Sequence, residues 1–293
     1  MSRLGLAGVA LTVLIQGLGA QSRYPVVRET TISRTMRVDA RAKRALEVST
    51  ISGNIRIAGD AGDTIDVAVK KTIRAETAAD ADAAEAAVGL EIAETADAVR
   101  LLGDVNAQPG CDWETITRRR TRPPYQVAFD FDVRVPVNTR LRLCTVNGGA
   151  VHVVATAGGF EIDNVNGPIT LTDVRGSGRA TTVNGAVSAA FAENPKAASE
   201  FKSVNGDIDV TFRPGLSADL VMKTFNGGLF TDFDVTRLPM ALAVAERRNG
   251  MAVYRGSRFT GFRAGQGGPE IKLDAFNGNI RVVGSQQSVA RSR

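Results

Sequence analysis

The chain has 293 residues, with 30 Gly, 12 Phe, 3 Tyr and 1 Trp, and a formal net charge of +5. That length is ample for a buried core, and abundant Gly beside few aromatics suits a β protein with many corners. So slight a charge excess gives little support to nucleic-acid binding, which needs a concentrated basic face, and 2 Cys with 1 His are too few for a convincing metal centre.

Residues 1–20 have the form of a secretory leader. Arg3 precedes an apolar run through Leu4, Leu6, Val9, Leu11, Val13, Leu14 and Ile15, and small residues lead to Ala20, the expected cleavage point. Leu18 is not the ideal small residue before that cut, so an uncleaved anchor is the alternative. No Cys follows the run, which sets aside a bacterial lipoprotein. No later stretch is apolar for long enough to span a bilayer as a helix. Export to the periplasm or cell surface of a bacterium is the expectation.

Residues 21–138 form the N-terminal part. Tyr24 to Arg44 reads as extended, and Leu46-Glu47-Val48 leads into Ile51-Ser52-Gly53-Asn54-Ile55, a faint first copy of the unit that dominates later. Thr64 to Arg74 alternates through Ile65, Val67 and Val69. The one clear helix follows, with Thr77 as N-cap, Asp80 three residues on, Ala from Ala78 to Ala87 and Gly89 just past its end. Its Ala-rich face reads as a packing surface and a candidate cap for an open stack. Strands are expected at Leu90 to Ala93 and Ala98 to Leu102.

Asp104 to Gln126 loses all periodicity and carries Trp113 with Arg118, Arg119, Arg120 and Arg122. A loop this long is either solvated, stapled through Cys111, or a ligand loop whose arginines grip an anionic polymer or a partner's carboxylates. Val127 to Val135 then alternates, with Phe129, Phe131 and Val133 on one face, and Pro136 closes the strand.

Residues 139–285 carry a repeat. Asn147-Gly148, Asn166-Gly167, Asn184-Gly185, Asn205-Gly206 and Asn226-Gly227 stand 19, 18, 21 and 21 residues apart, and Asn277-Gly278 follows later. The third residue after the Asn is Ile169, Val187, Ile208, Leu229 or Ile280, and the fourth residue back is apolar in every copy. Each Asn-Gly therefore lies between two strands that bury side chains, and the Val or Phe just before the Asn breaks the alternation and marks a bend. A unit of about 20 residues is too short for a domain but long enough for one coil of a stacked array. The expected fold is all-β: a single-chain β-solenoid (β-helix) of such coils, its Asn side chains forming a ladder at one corner and its Gly supplying positive φ. At the first coil the additional Gly149 reads as a bulge that turns His152 outward. Arg237 to Arg263 fits either a degenerate coil or a second decorated loop, and residues 286–293 read as a polar tail.

Cys111 and Cys144 are expected to pair in an oxidising compartment, two free thiols being the alternative. Cys144 lies one residue from inward-facing Leu143 and is expected to face outward, where it would tie the arginine loop to the first coil.

The leader, Val133-Arg134-Val135-Pro136 running into Leu141 and Leu143, and the serial Val-Asn-Gly-x-Ile units together resemble the bacterial putative-adhesin family, a domain of unknown function that folds as a β-solenoid. The resemblance spans roughly Leu46 to Val283. It implies an envelope or surface location and brings no catalytic residues.

For function, the reading is a non-catalytic interaction or structural protein, with no cofactor and no metal, whose partner is an envelope polysaccharide or a surface protein. The alternative is a carbohydrate-active β-helix enzyme. Glycoside cleavage needs two facing carboxylates, and Asp207 with Asp209, or Asp232 with Asp234, alternate in a way that would line a groove. A nucleophile of the Ser or Cys type has only His152 to draw on.

Overall fold

A computed structural model describes residues 8–12, 23–37, 45–95, 97–103, 123–239, 244–248, 251–255 and 259–285. Cys111, Trp113, Arg118, Arg119, Arg120, Arg122, the expected cleavage point at Ala20 and residues 286–293 lie outside the described residues. Of residues 1–20, β1 (Gly8–Thr12) pairs antiparallel with β2 (Val26–Arg37).

β3 (Ala45–Ser52) and β4 (Ile55–Asp60) are followed by β5 (Thr64–Ala75), α1 (Ala78–Ala87), β6 (Leu90–Glu94), β7 (Ala98–Gly103) and β8 (Tyr125–Pro136). The regular part then runs in pairs: β9 (Arg140–Asn147) with β10 (Val151–Val154), β11 (Phe160–Asn166) with β12 (Ile169–Val174), β13 (Gly178–Asn184) with β14 (Val187–Phe191), and β15 (Ser199–Asn205) with β16 (Ile208–Phe212). β17 (Ala218–Asn226) and β18 (Leu229–Thr231) form another pair. β19 (Val235–Leu238), the hairpin β20 (Val244–Arg248) and β21 (Met251–Arg255), and β22 (Thr260–Ala264) lead to the last pair, β23 (Glu270–Asn277) and β24 (Ile280–Gly284).

Among the described residues the all-β expectation with one helix holds. The strands form two large mixed sheets, ordered β1-β2-β5-β8-β4-β10-β12-β14-β16-β24-β18 and β19-β22-β17-β23-β15-β13-β11-β9-β3-β7-β6. Neither sheet closes on itself, because antiparallel strands at the flanks turn the chain back: β5, β2 and β1 on the first sheet, and β6, β22 and β19 on the second. Between the flanks all pairing is parallel. Between the flanks, each strand of the second sheet other than β7 turns one corner into a strand of the first, and we call such a pair a rung; β7 and β8, which lie beside β3 and β4 at the same level, are counted with them.

The rungs do not stack in chain order. Read along the sheets they are β7/β8, β3/β4, β9/β10, β11/β12, β13/β14, β15/β16, β23/β24 and β17/β18. At each end two neighbours have exchanged places. The chain passes β17/β18, makes the β19 to β22 excursion, and returns to lay β23/β24 between two rungs already made. The stretch 237–263 therefore holds no further coil among its described residues. It supplies β22, which Arg263 fixes to β17 by forking onto Asp219 at 2.8 Å for each bond.

Alternation explains the core. Leu141 and Leu143, Ile162 and Leu171, Val187 and Phe191, Phe201 and Val210, and Ile271 and Val282 all point between the sheets and join one cluster that also takes in Leu46, Ile55 and Phe131. Where one rung is small, its neighbours are large. Ala180 carries almost no side chain, and Phe160 and Phe201 from the rungs on either side meet beside it at 6.4 Å between ring centres, keeping the interior dense. α1 has its capping box, Thr77 with Asp80, and buries Ala81 and Ala84 against Ile73, Ala75 and Tyr125 in a small separate cluster. It thus lies over β2, β5 and β8.

The reason for the corner glycines differs from the expectation. Gly206 has φ +156°, but Gly167, Gly185, Gly227 and Gly278 are not in the left-handed region. Space is what they lack. A Cβ on Gly185 would lie 2.2 Å from the Gly167 carbonyl oxygen, and on Gly206 2.1 Å from that of Gly185. At the first coil Gly149 takes this stacking role, 1.8 Å from the Gly53 oxygen, while Gly148, with φ +68° and open space around it, is the extra residue. Val151 consequently faces in and His152 faces out, half-buried.

Gly185→Ala is expected to lower unfolding stability by about 3 kcal/mol, the upper end of the range for forcing atoms into packed space. Gly148→Ala should cost only about 1 kcal/mol, the left-handed penalty alone. Denaturant midpoints check both, and equal effects would contradict the stacking account.

Candidate functional surface along the Asn-Gly edge

Parallel pairing in register brings Asn166, Asn184, Asn205, Asn277 and Asn226 into a row on one exposed edge. Their amides bond directly: Nδ2 of Asn184 donates to Oδ1 of Asn166, Asn205 to Asn184, and Asn277 to Asn205, each at 2.8 Å, and Asn226 donates to Asn277 at 2.7 Å. All run in one direction, so the amide dipoles align and reinforce one another. Each amide keeps a second N–H and a second lone pair for solvent or a ligand. Asn147 is in register with Asn166 and Ser52, but stands outside the row of side-chain bonds, where the extra Gly148 reshapes the corner.

Beneath this row lies a second one that the sequence reading missed. Two residues before the Asn, Thr145, Asn164, Thr182, Ser203 and Thr224 donate to the carbonyls of Gly53, Gly149, Gly167, Gly185 and Gly278 at 2.8–3.0 Å. A corner that turns its carbonyl inward must give that oxygen a donor. The signal was present as a short polar residue at a position whose apolar neighbours are buried. In β23 Ala275 replaces it.

The residue just before each Asn is left out of the strand register, buried at Val146, half-buried at the other Val and exposed at the two Phe. In stack order these residues are Val146, Val165, Val183, Val204, Phe276 and Phe225. The two Phe are 49% and 56% exposed, and their rings stack at 4.9 Å with 4° between planes.

Of the acids singled out as possible catalysts, Asp207, Asp209 and Asp232 have structural partners. Asp207 follows its corner and accepts from the Asn279 backbone N–H at 2.8 Å, as Asp130 accepts from Asn54 at 2.9 Å at the other end of the stack. Arg281 then bonds both Asp207, at 3.0 Å, and Asp209, at 2.9 Å. The Asn279 backbone bond, ahead of the Arg281 contact and against some desolvation, holds the Asp207 carboxyl below its ordinary range. A general acid needs the opposite shift. Asp232 and Asp234 are not on a strand, since β18 ends at Thr231, and Asp232 accepts from the Gly284 N–H. Burial, opposed by Arg179, raises Asp163 on the outer face.

His152 stands between Arg56 and Thr170 on the outer face of the first sheet. Among the described residues no group of three or more His, Cys, Asp or Glu is placed to hold a metal. Cys144 has outward parity in β9, beside Ser49 and Asp163, yet is 5% exposed, so that part of the outer face is covered. No free cysteine occurs among the described residues. Where the edge reaches β8, an open cleft of about 860 Å³ is walled by Tyr24, Asn54, Arg74, Tyr125, Asp130 and Asn147 among others.

No protein-family model and no curated protein matches this chain. Among solved structures, a putative cell adhesion protein from Clostridium sporogenes ATCC 15579 is similar at TM-score 0.38 and 10% identity, covering 86% of this chain and 99% of that one. A putative adhesin from Bacteroides fragilis NCTC 9343 is similar at TM-score 0.33 and 11% identity, over 87% and 97% of the two chains. A putative lipid binding protein from Parabacteroides distasonis ATCC 8503 is similar at TM-score 0.23 and 8% identity, over 87% and 97%. No helix among the described residues is long and apolar enough to cross a membrane.

The Asp207 shift has a sign that can be measured. A depressed folded pKa contributes stability above the unfolded value of about 3.9, and that stability is lost as pH falls through the folded value. Asp207→Asn is therefore expected to unfold at lower temperature than the parent at pH 7, and to lose less between pH 5 and pH 2. Parallel pH profiles for the two chains would contradict this role.

Proposed function

We propose that this chain is an exported envelope or surface protein, a non-catalytic β-solenoid whose two sheets are the walls of one stacked coil and whose outer surface is used for adhesion. The observation that supports it most is Arg281, which bonds Asp207 and Asp209 together. The acid pair with the best claim to glycoside chemistry is thereby engaged in holding rungs to one another. The exposed row of Asn amides with Phe276 and Phe225 beside it supplies a long edge with both hydrogen-bonding and apolar character. Partners of matching chemistry are envelope polysaccharide, with hydroxyls for the amides, and the surface of another protein.

In this reading Cys111 and Cys144 are joined, and the arginine loop from 104 to 122 is held near the first rungs as a second contact region through Trp113, Arg118, Arg119, Arg120 and Arg122. Peptide mapping of exported protein without reductant is expected to return the peptides of Cys111 and Cys144 linked as one species. Recovery of both as alkylated free thiols would overturn the pairing.

The functional reading is tested by incubating the purified protein with cell-wall and capsular glycans and examining both retention and products. Retention with no cleavage is the expected result. Turnover that disappears in Asp207→Asn or Asp209→Asn would establish the enzyme reading instead.

A further inference from the structure

The exchanged rung order at both ends has a chemical counterpart on the outer face of the second sheet. Taken across the sheet in register, one row reads Arg100, Glu47, Arg142, Glu161, Arg179, Glu200, Lys272 and Val221. The charges alternate without a break until the row ends at Val221. The next row on the same face ends Lys202, Asp274 and Lys223. These are contacts and not only placements: Arg100 and Arg142 bond Glu47 at 2.8 and 2.9 Å, Lys272 bonds Glu200 at 2.9 Å, and Lys223 bonds Asp274 at 2.9 Å.

In chain order the same residues would clash. β17 beside β15 would set Lys223 against Lys202 and Val221 against Glu200, and would leave Asp209 and Asp207 without Arg281. At the other end, β7 between β3 and β9 would set Arg100 against Arg142. Like charges directly opposite on neighbouring strands are destabilising.

The uncharged devices at the corner do not discriminate. Asn226 would continue the amide row on Asn205 as well as Asn277 does, and Thr224 would serve the Gly206 carbonyl as well as that of Gly278. The corner motif is thus common to every rung, and the outer-face charges differ from rung to rung.

We propose that the alternating charge rows on the outer face of the second sheet are the address that decides which rungs become neighbours, and that they seat β23/β24 in the slot between β15/β16 and β17/β18. Lys202 facing Lys223 keeps that slot from closing on itself, and Asp274 is the charge that fills it. At the other end Glu47 does the same between Arg100 and Arg142.

The test uses the full chain with a reporter that leaves the charges intact. Val204, Phe276 and Phe225 precede the register-paired Asn205, Asn277 and Asn226, so Val204→Cys with Phe276→Cys joins adjacent rungs. Val204→Cys with Phe225→Cys spans two strand spacings, about 9.6 Å, which is beyond disulfide reach. The first pair is expected to bridge on mild oxidation and the second not, with bonds assigned by peptide mapping so that Cys111 and Cys144 do not confuse the result. Adding Asp274→Lys is expected to slow the first bridge about tenfold. Reversing the whole row, with Lys202→Asp and Lys223→Asp added to Asp274→Lys, restores alternation with inverted sign and is expected to restore the rate. About 1 M salt should narrow the gap between the single and triple variants. The proposal is overturned if the 204–225 pair bridges in the otherwise unchanged chain, if Asp274→Lys leaves the first rate as it was, or if the triple variant is no faster than the single one.

Discussion

The contact on which the rest of the structure depends is the approach of one corner to the next. At each Asn-Gly from Asn166 onward, and at Gly149 in the rung before it, the glycine of one rung lies against the carbonyl of the glycine below, at a distance where no Cβ fits. Rungs can therefore come together at strand spacing along their whole length, and both sheets stay in register from corner to corner. Everything else at the edge follows from that closeness. The inward-turned carbonyl requires the buried hydroxyl or amide two residues before the Asn. The Asn side chains are brought to hydrogen-bonding distance. The residue just before the Asn is left out of the strand register, which leaves Phe225 and Phe276 on the surface.

A corner built the same way in every rung makes rungs interchangeable, and interchangeability is a hazard for a chain that must choose one arrangement. The core resolves part of it, since the small Ala180 rung fits between the rungs that carry Phe160 and Phe201. The outer face discriminates further, because the side chain at one position can be Arg in one rung and Glu in the next. Individually such exposed pairs contribute little. Their collective value lies in the penalty they place on the wrong neighbour.

This division of labour also bears on function. Polar residues that a sequence reading would nominate for chemistry are here occupied in stacking: Asp207 as a corner cap and Asp209 as an Arg281 partner. What remains exposed along the edge, among the described residues, is a ridge of Asn amides with Phe276 and Phe225 beside it.

Much of this was legible beforehand. The spacing of Asn147, Asn166, Asn184, Asn205 and Asn226, with apolar residues at fixed offsets, determines by itself that strands flank each corner and which side chains face inward, because strand alternation is a local property of the backbone. The helix at Ala78–Ala87 was legible for the same reason, its capping box being contained within four residues. What only the tertiary structure decided was the order of the rungs, the need for glycine as a matter of space between corners, and the partners of Asp207 and Asp209. Each of these depends on which segment lies alongside, and Arg281 meets Asp209 across 72 residues of chain. A repeat makes every copy look alike along the chain, so the neighbour relation between copies is settled by cross-strand contacts that no single copy contains.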